Sequence, residues 1–192
     1  MQKEATCLLP ANHVVACEQI ELTNGKSLLD IPVKGAALKV ADSNGKTVVE
    51  GVKFAMEIDK TSGVITSYKV AGEELLKDGY GPRPNYWRAP TDNDYGMKLQ
   101  KRSRVWQAAS NAPRVASNYN VTNQNGIVTI KFSQAMVDSV AQDIEYNIYP
   151  SGYMAMTVNT ITENDMPMMP RAGIRMQLNG EYDNVKYYGR GE

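Results

Sequence analysis

Apolar and polar residues alternate with a period of two along most of this chain. Phe54-Ala55-Met56-Glu57-Ile58 places Phe, Met and Ile on one face and the small or charged residues on the other. A half-buried strand has that pattern, because successive side chains point to opposite faces of a sheet. By the same rule residues 14–22, 28–33, 37–40, 47–50 and 64–70 read as extended, as do 114–121, 127–132, 141–149, 153–161, 172–178 and 185–188. Turn signals separate them. Asn24-Gly25, Asn44-Gly45 and Asn125-Gly126 supply the positive-φ pair that tight hairpins need, and Pro150-Ser151-Gly152 makes another turn. One stretch, 96–110, has helical character, with Met97, Leu99, Val105, Trp106 and Ala109 as an imperfect buried stripe. The pattern therefore predicts an all-β, antiparallel sandwich with one short helix.

Between the first strands and that helix lies Asn85-Tyr86-Trp87-Arg88-Ala89-Pro90-Thr91-Asp92-Asn93-Asp94-Tyr95-Gly96. Pro90 fixes φ and removes a donor, and Asp and Asn bond neighbouring backbone amides. The segment is expected to be a structured loop, neither strand nor helix. Arg88 can clamp a carboxylate with two parallel bonds, with Asp92 or Asp94 in reach along the chain, and a sugar hydroxyl is the alternative partner.

Charge narrows the partners. Lys and Arg number 21 against 21 Asp and Glu, so formal charge is zero. Nucleic acid is excluded as a partner, since it would require a basic face. No apolar run approaches the length of a membrane span. Eleven Tyr stand against two Phe and two Trp, a composition that suits half-buried sheet surfaces first and sugar stacking second. Cys7 and Cys17 lie symmetrically about Asn12. Two free thiols are the expected state, and a strained cross-strand disulfide is the alternative. No cysteine or histidine cluster supports a metal site.

The loop also carries a resemblance. Trp87-Arg88-Ala89-Pro90-Thr91-Asp92-Asn93-Asp94 followed by Gly96 resembles the signature of the C-terminal small-chain domain of family 2 β-galactosidases. Leu99, Arg102 and Trp106, then Pro170-Arg171-Ala172-Gly173 and Val185-Lys186-Tyr187-Tyr188-Gly189-Arg190-Gly191, resemble motifs that follow it in that family. Upstream, Asn12-His13-Val14-Val15-Ala16-Cys17-Glu18-Gln19 resembles the strand before the domain, with Cys17 where the family has Trp. Glu192 stands where the family has Pro.

The resemblance implies a galactose mutarotase-like supersandwich. Residues 1–34 would be the tail of an immunoglobulin-like β-sandwich plus linker, and 35–192 the N-terminal part of the small-chain domain. It implies a parent enzyme that hydrolyses terminal non-reducing β-D-galactosides with retention, its two glutamates in a barrel elsewhere in the polypeptide. Partners would be a galactoside and that barrel, with homo-oligomers a further option; the compartment would be bacterial cytoplasm or periplasm. Mg or Na would concern the parent, and no cofactor is expected of this segment. Trp87, Arg88, Asp92, Asn93 and Asp94 would border the sugar site, and none would be catalytic.

The residues themselves agree with that restraint. Retaining glycosidases oppose two carboxyls about 5–5.5 Å apart across one sugar carbon, whereas Asp92 and Asp94 at i, i+2 in a turn read first as backbone caps. A calcium loop starting at Asp92 fails, because Gly96 falls fifth, Met97 sixth and Ser103 twelfth. His13, the one histidine, cannot supply the acid–base set that mutarotases use. A stand-alone carbohydrate-binding module is the rival reading. Tyr86, Trp87 and Tyr95 exposed on one face would favour it, and their burial beneath an Arg88 clamp would favour a scaffold. A purely structural or assembly domain is a third.

Overall fold

Eleven strands form among the described residues, and all their pairings are antiparallel. The structure is a computed structural model describing residues 3–8, 10–14, 35–137, 139–163 and 165–185. The chain divides into two compact units, Met1–Ile31 and Pro32–Glu192. In the first unit, Asn12 sits at φ 63° in an exposed turn closed by His13 N donating to Pro10 O at 3.2 Å. Cys7 is exposed with a free thiol. Cys17, the expected strands 14–22 and 28–33 beyond Val14, and 185–188 beyond Val185 lie outside the described residues.

In the second unit, β1 (Lys39–Ser43), β2 (Lys46–Glu50), β3 (Phe54–Asp59), β4 (Ile65–Val70) and β5 (Glu73–Glu74) form one sheet in sequential order. β7 (Ala116–Gln124), β8 (Ile127–Val137), β9 (Val140–Ile148) and β10 (Met154–Thr162) form a second meander. β6 (Arg83–Asn85) and β11 (Gly173–Arg175) make a separate two-stranded ribbon. Asn44 and Asn125 take φ 49° and 53°, with Gly45 and Gly126 at 75° and 79°, so the Asn-Gly pairs turn the chain as their chemistry requires.

Alternation decides which face is buried. In β3, Phe54, Met56 and Ile58 are buried while their neighbours are half-buried; β8 buries Val128, Ile130 and Phe132, and β9 buries Ile144, Tyr146 and Ile148. These faces join Val49 and Ile65 in one core, so the two sheets pack face to face as a sandwich. Polar bonds cross the same interface. Tyr146 Oη donates to Gly63 O at 3.1 Å and Tyr68 Oη to Gly152 O at 2.6 Å.

Two expectations need correction. The single helix over 96–110 is three pieces: α1 (Asp92–Gly96), α2 (Leu99–Arg102) and α3 (Arg104–Asn111). Lys98 adopts the left-handed conformation at φ 56°, and Ser103 leaves helical geometry at φ −102°, ψ 17°, which breaks the run twice. The segment 85–96 is likewise not all loop. Asn85 closes β6, and α1 starts straight after Thr91.

Candidate functional site

A second, smaller core underlies the segment that follows β6. Tyr86, Trp106, Ala109, Met136 and Val140 are buried together, with Trp87, Val105, Met166 and Met169 packed against them. Met136 reaches it from the same inward face of β8 that carries Val128, Ile130 and Phe132, at the point where the β8–β9 register shifts between Ala135 and Val137. Tyr86 is 3% exposed, and its ring lies 5.6 Å from that of Trp106. Its backbone N donates to Ser110 Oγ at 2.8 Å, and Ser110 Oγ donates to Trp106 O at 2.8 Å. Trp106 Nε1 donates to Pro167 O at 2.8 Å, and Ser103 Oγ to Met168 O at 2.8 Å. Pro167 and Met168 are thereby pinned to α3 and its N-cap.

Tyr86 also ends a buried polar chain. Its hydroxyl donates to Gln142 Oε1 at 2.9 Å and pairs with Thr160 Oγ1 at 2.7 Å. Gln142 Nε2 donates to Gln134 Oε1 at 2.7 Å, and Gln134 Nε2 donates onward to Ser62 O. Burial pushes the Tyr86 phenol above its ordinary pKa, and the bond with Thr160 opposes that shift. Sequence reasoning missed this chain. A signal existed: Gln142 occupies the same inward register as Ile144, Tyr146 and Ile148.

Above this floor sits the clamp. Arg88 Nη1 and Nη2 donate to Asp94 Oδ2 and Oδ1 at 2.5 and 3.0 Å, a bidentate pair. Arg88 Nη1 also donates to Ala89 O at 3.2 Å. Asp94 Oδ2 accepts from the Thr91 backbone N at 2.8 Å, with Thr91 as the N-cap and Asp94 at the third helical position. Asp94 is buried, while Asp92 and Asn93 are exposed and have no side-chain hydrogen bond among the described residues. The expectation that both acids bond the loop is therefore corrected to Asp94 alone. An acid at the first helical position needs no partner, because the helix N-terminus already favours its charge. Trp87 is half-buried on the second core and Tyr95 is 55% exposed, so the aromatics do not share one open face.

The Arg88 guanidinium, then the Thr91 amide, hold the Asp94 carboxyl below the usual carboxylate range. A depressed folded-state pKa contributes stability that is present above the unfolded value, near 4, and is lost as pH falls through the folded one. Asp94→Asn should therefore flatten the acid limb of the melting curve below about pH 4 relative to the parent chain. Equal acid limbs in parallel thermal scans would remove Asp94 from that role.

Chemically, the arrangement offers a buried aromatic floor and a carboxylate, Asp94, neutralised by Arg88, with Asp92 exposed beside it. No group of three His, Cys, Asp or Glu converges as metal ligands would among the described residues. A large cleft of about 530 Å³ lies elsewhere, lined by Ile65, Tyr68, Leu76, Pro82, Met154 and Met176, and its walls are mainly apolar.

Comparison with known proteins gives these features a context. Residues 50–192 match the family described as β-galactosidase small chain. A β-galactosidase of Priestia megaterium is 33% identical over 187 residues, which cover 97% of this chain and 18% of that protein. One from Actinobacillus pleuropneumoniae is 27% identical over 197 residues, covering 98% and 19%. One from Kluyveromyces lactis is 26% identical over 195 residues, with the same two shares of 98% and 19%. The chain thus spans about a fifth of the length of the curated relatives it matches.

Proposed function

Because this chain belongs to the β-galactosidase small-chain family, we propose that it is a non-catalytic part of a retaining β-galactosidase acting on terminal non-reducing β-D-galactosides. The family match over residues 50–192 carries the proposal. In this reading the sandwich belongs to a mutarotase-like supersandwich that buttresses the catalytic barrel. Trp87, Arg88, Asp92, Asn93 and Asp94 border the sugar site and shape it. Asp94 is neutralised by Arg88 and so is poorly suited to act as a nucleophile or a general acid. Asp92 is exposed and makes no side-chain hydrogen bond among the described residues, which supports the same division of labour.

The rival reading, a stand-alone carbohydrate-binding module, needs an exposed aromatic platform. Burial of Tyr86 and half-burial of Trp87 weigh against it. Glycoside hydrolysis requires an acid and a nucleophile converging on one bond, and that convergence is worth many orders of magnitude in rate. The purified chain, freed of host galactosidase, should not hydrolyse a chromogenic β-galactoside. Turnover that survives purification and disappears in Asp92→Ala or Asp94→Ala would place reacting groups here and overturn the reading.

A further inference from the structure

Arg83, Arg114 and Arg175 gather beside the C-terminal end of α3. The antiparallel ladder of β6 and β11 sets Arg83 directly opposite Arg175, a position in which like charges repel. The Arg83 guanidinium lies 3.7 Å from the centre of the Tyr80 ring, and that of Arg175 lies 5.8 Å from the same ring. Arg114 Nη2 and Arg175 Nη2 share one acceptor, Ser110 O, at 3.0 and 2.8 Å. Arg175 Nη2 also donates to Asn111 Oδ1 at 3.0 Å, and Arg114 Nη2 to Pro84 O at 3.2 Å. Arg114 Nη1 points at Met136 Sδ at 2.8 Å, and Arg83 Nε donates to Gly81 O at 3.3 Å.

Every one of these acceptors is neutral. The ion pairs among the described residues are Lys46–Glu57, Lys60–Asp42, Arg88–Asp94 and Lys131–Glu145, and none includes the three arginines. Arg175 Nε is buried with no hydrogen-bond acceptor among the described residues. Capping of α3 accounts for part of the arrangement, since Ser110 O and Asn111 lie at its end. A helix C-terminus, however, offers only about half an elementary charge against three full ones. Burial, followed by repulsion from Arg83 and Arg175, lowers the Arg114 pKa to about 10. The charge imbalance is therefore built into the fold.

We propose that Arg83, Arg114 and Arg175 form a seat for an oxyanion, a carboxylate or a phosphate, whose oxygens take the unpaired guanidinium donors. A guanidinium presents donors in a planar fork that matches such groups bidentately, and the Tyr80 ring holds two of the forks in place. The anion is either a free small acid or an acidic side chain of a longer polypeptide.

Thermal unfolding of the chain in inorganic phosphate, against sodium chloride at equal ionic strength, reads the seat directly. Phosphate should raise Tm saturably beyond chloride, as any ligand of the folded state does. Arg175→Gln should abolish the increment, and the exposed Arg171→Gln should keep it. Arg83→Gln serves as a second variant should Arg175→Gln fail to fold. Equal Tm in the two salts, or an increment that survives in both seat variants, overturns the proposal.

A second arm, which alone rests on the β-galactosidase reading, repeats the titration on the longer enzyme. An increment that persists there assigns the seat to a free anion. Loss of the increment, together with a larger Tm drop for Arg175→Gln than in the chain alone, assigns it to a protein carboxylate. Loss without that larger drop contradicts the seat.

Discussion

Trp106→Ala is expected to lower stability by about 3–5 kcal/mol, the range for deleting a buried aromatic. Trp106 is 2% exposed and sits at the centre of the second core. Three connections depart from it at once. Its ring meets Tyr86, its Nε1 holds Pro167 O, and its carbonyl accepts from Ser110, whose hydroxyl in turn anchors the Tyr86 amide. Urea melts should show the loss, and amide exchange should rise first at Tyr86 and along 163–170. A loss below about 1 kcal/mol would mean that the second core is not a cooperative part of the fold.

Gly63→Ala should cost about 2–4 kcal/mol for two separable reasons. Gly63 has φ +70°, where a Cβ is strained, and an added Cβ would sit 2.3 Å from Phe132 Cε2. Phe132 cannot easily yield, because its ring lies between Tyr119 and Tyr146 at 5.9 and 5.5 Å. The Gly63 carbonyl is also fixed by Tyr146 Oη across the sandwich. Gly72→Ala provides the comparison: its φ is +91°, and nothing lies within 4 Å of the added Cβ. That variant should lose only the backbone part, about 1–2 kcal/mol. Equal losses for the two would remove the sheet-to-sheet contact at Gly63 from the account.

The strands were legible because two local signals agreed. Period-two alternation marked the buried faces of β3, β8 and β9, and Asn44-Gly45 and Asn125-Gly126 adopted the positive φ angles that their types favour. Strand ends were less legible. β8 runs on to Val137, past the expected end at 132, because pairing with β9 continues through the irregularity at Met136. β6 was hidden by Pro84, which reads as a breaker in the sequence yet is tolerated in a two-stranded ribbon. Nothing in the identity of Lys98 announces a left-handed backbone, so the division of the helix was not readable.

The clamp was half legible. A bidentate arginine was expected, but the choice between Asp92 and Asp94 depended on where α1 begins. Thr91 as N-cap puts Asp94 at the third position, facing back to Arg88 and the Thr91 amide. The arginine cluster was not legible, since Arg83, Arg114 and Arg175 come from distant parts of the chain. Only the β6–β11 pairing and the end of α3 bring them together.

The central claim is that the segment from Tyr86 to Asp94 is a locked scaffold and not an independent sugar platform. Titration of the isotopically labelled chain with galactose, followed through its indole and tyrosine signals, tests this most directly. The account predicts unmoved signals from Tyr86 and Trp106, and a Trp87 or Tyr95 response with affinity no tighter than about millimolar. Saturation at micromolar galactose that is abolished by Trp87→Ala would contradict it and make the chain a carbohydrate-binding module.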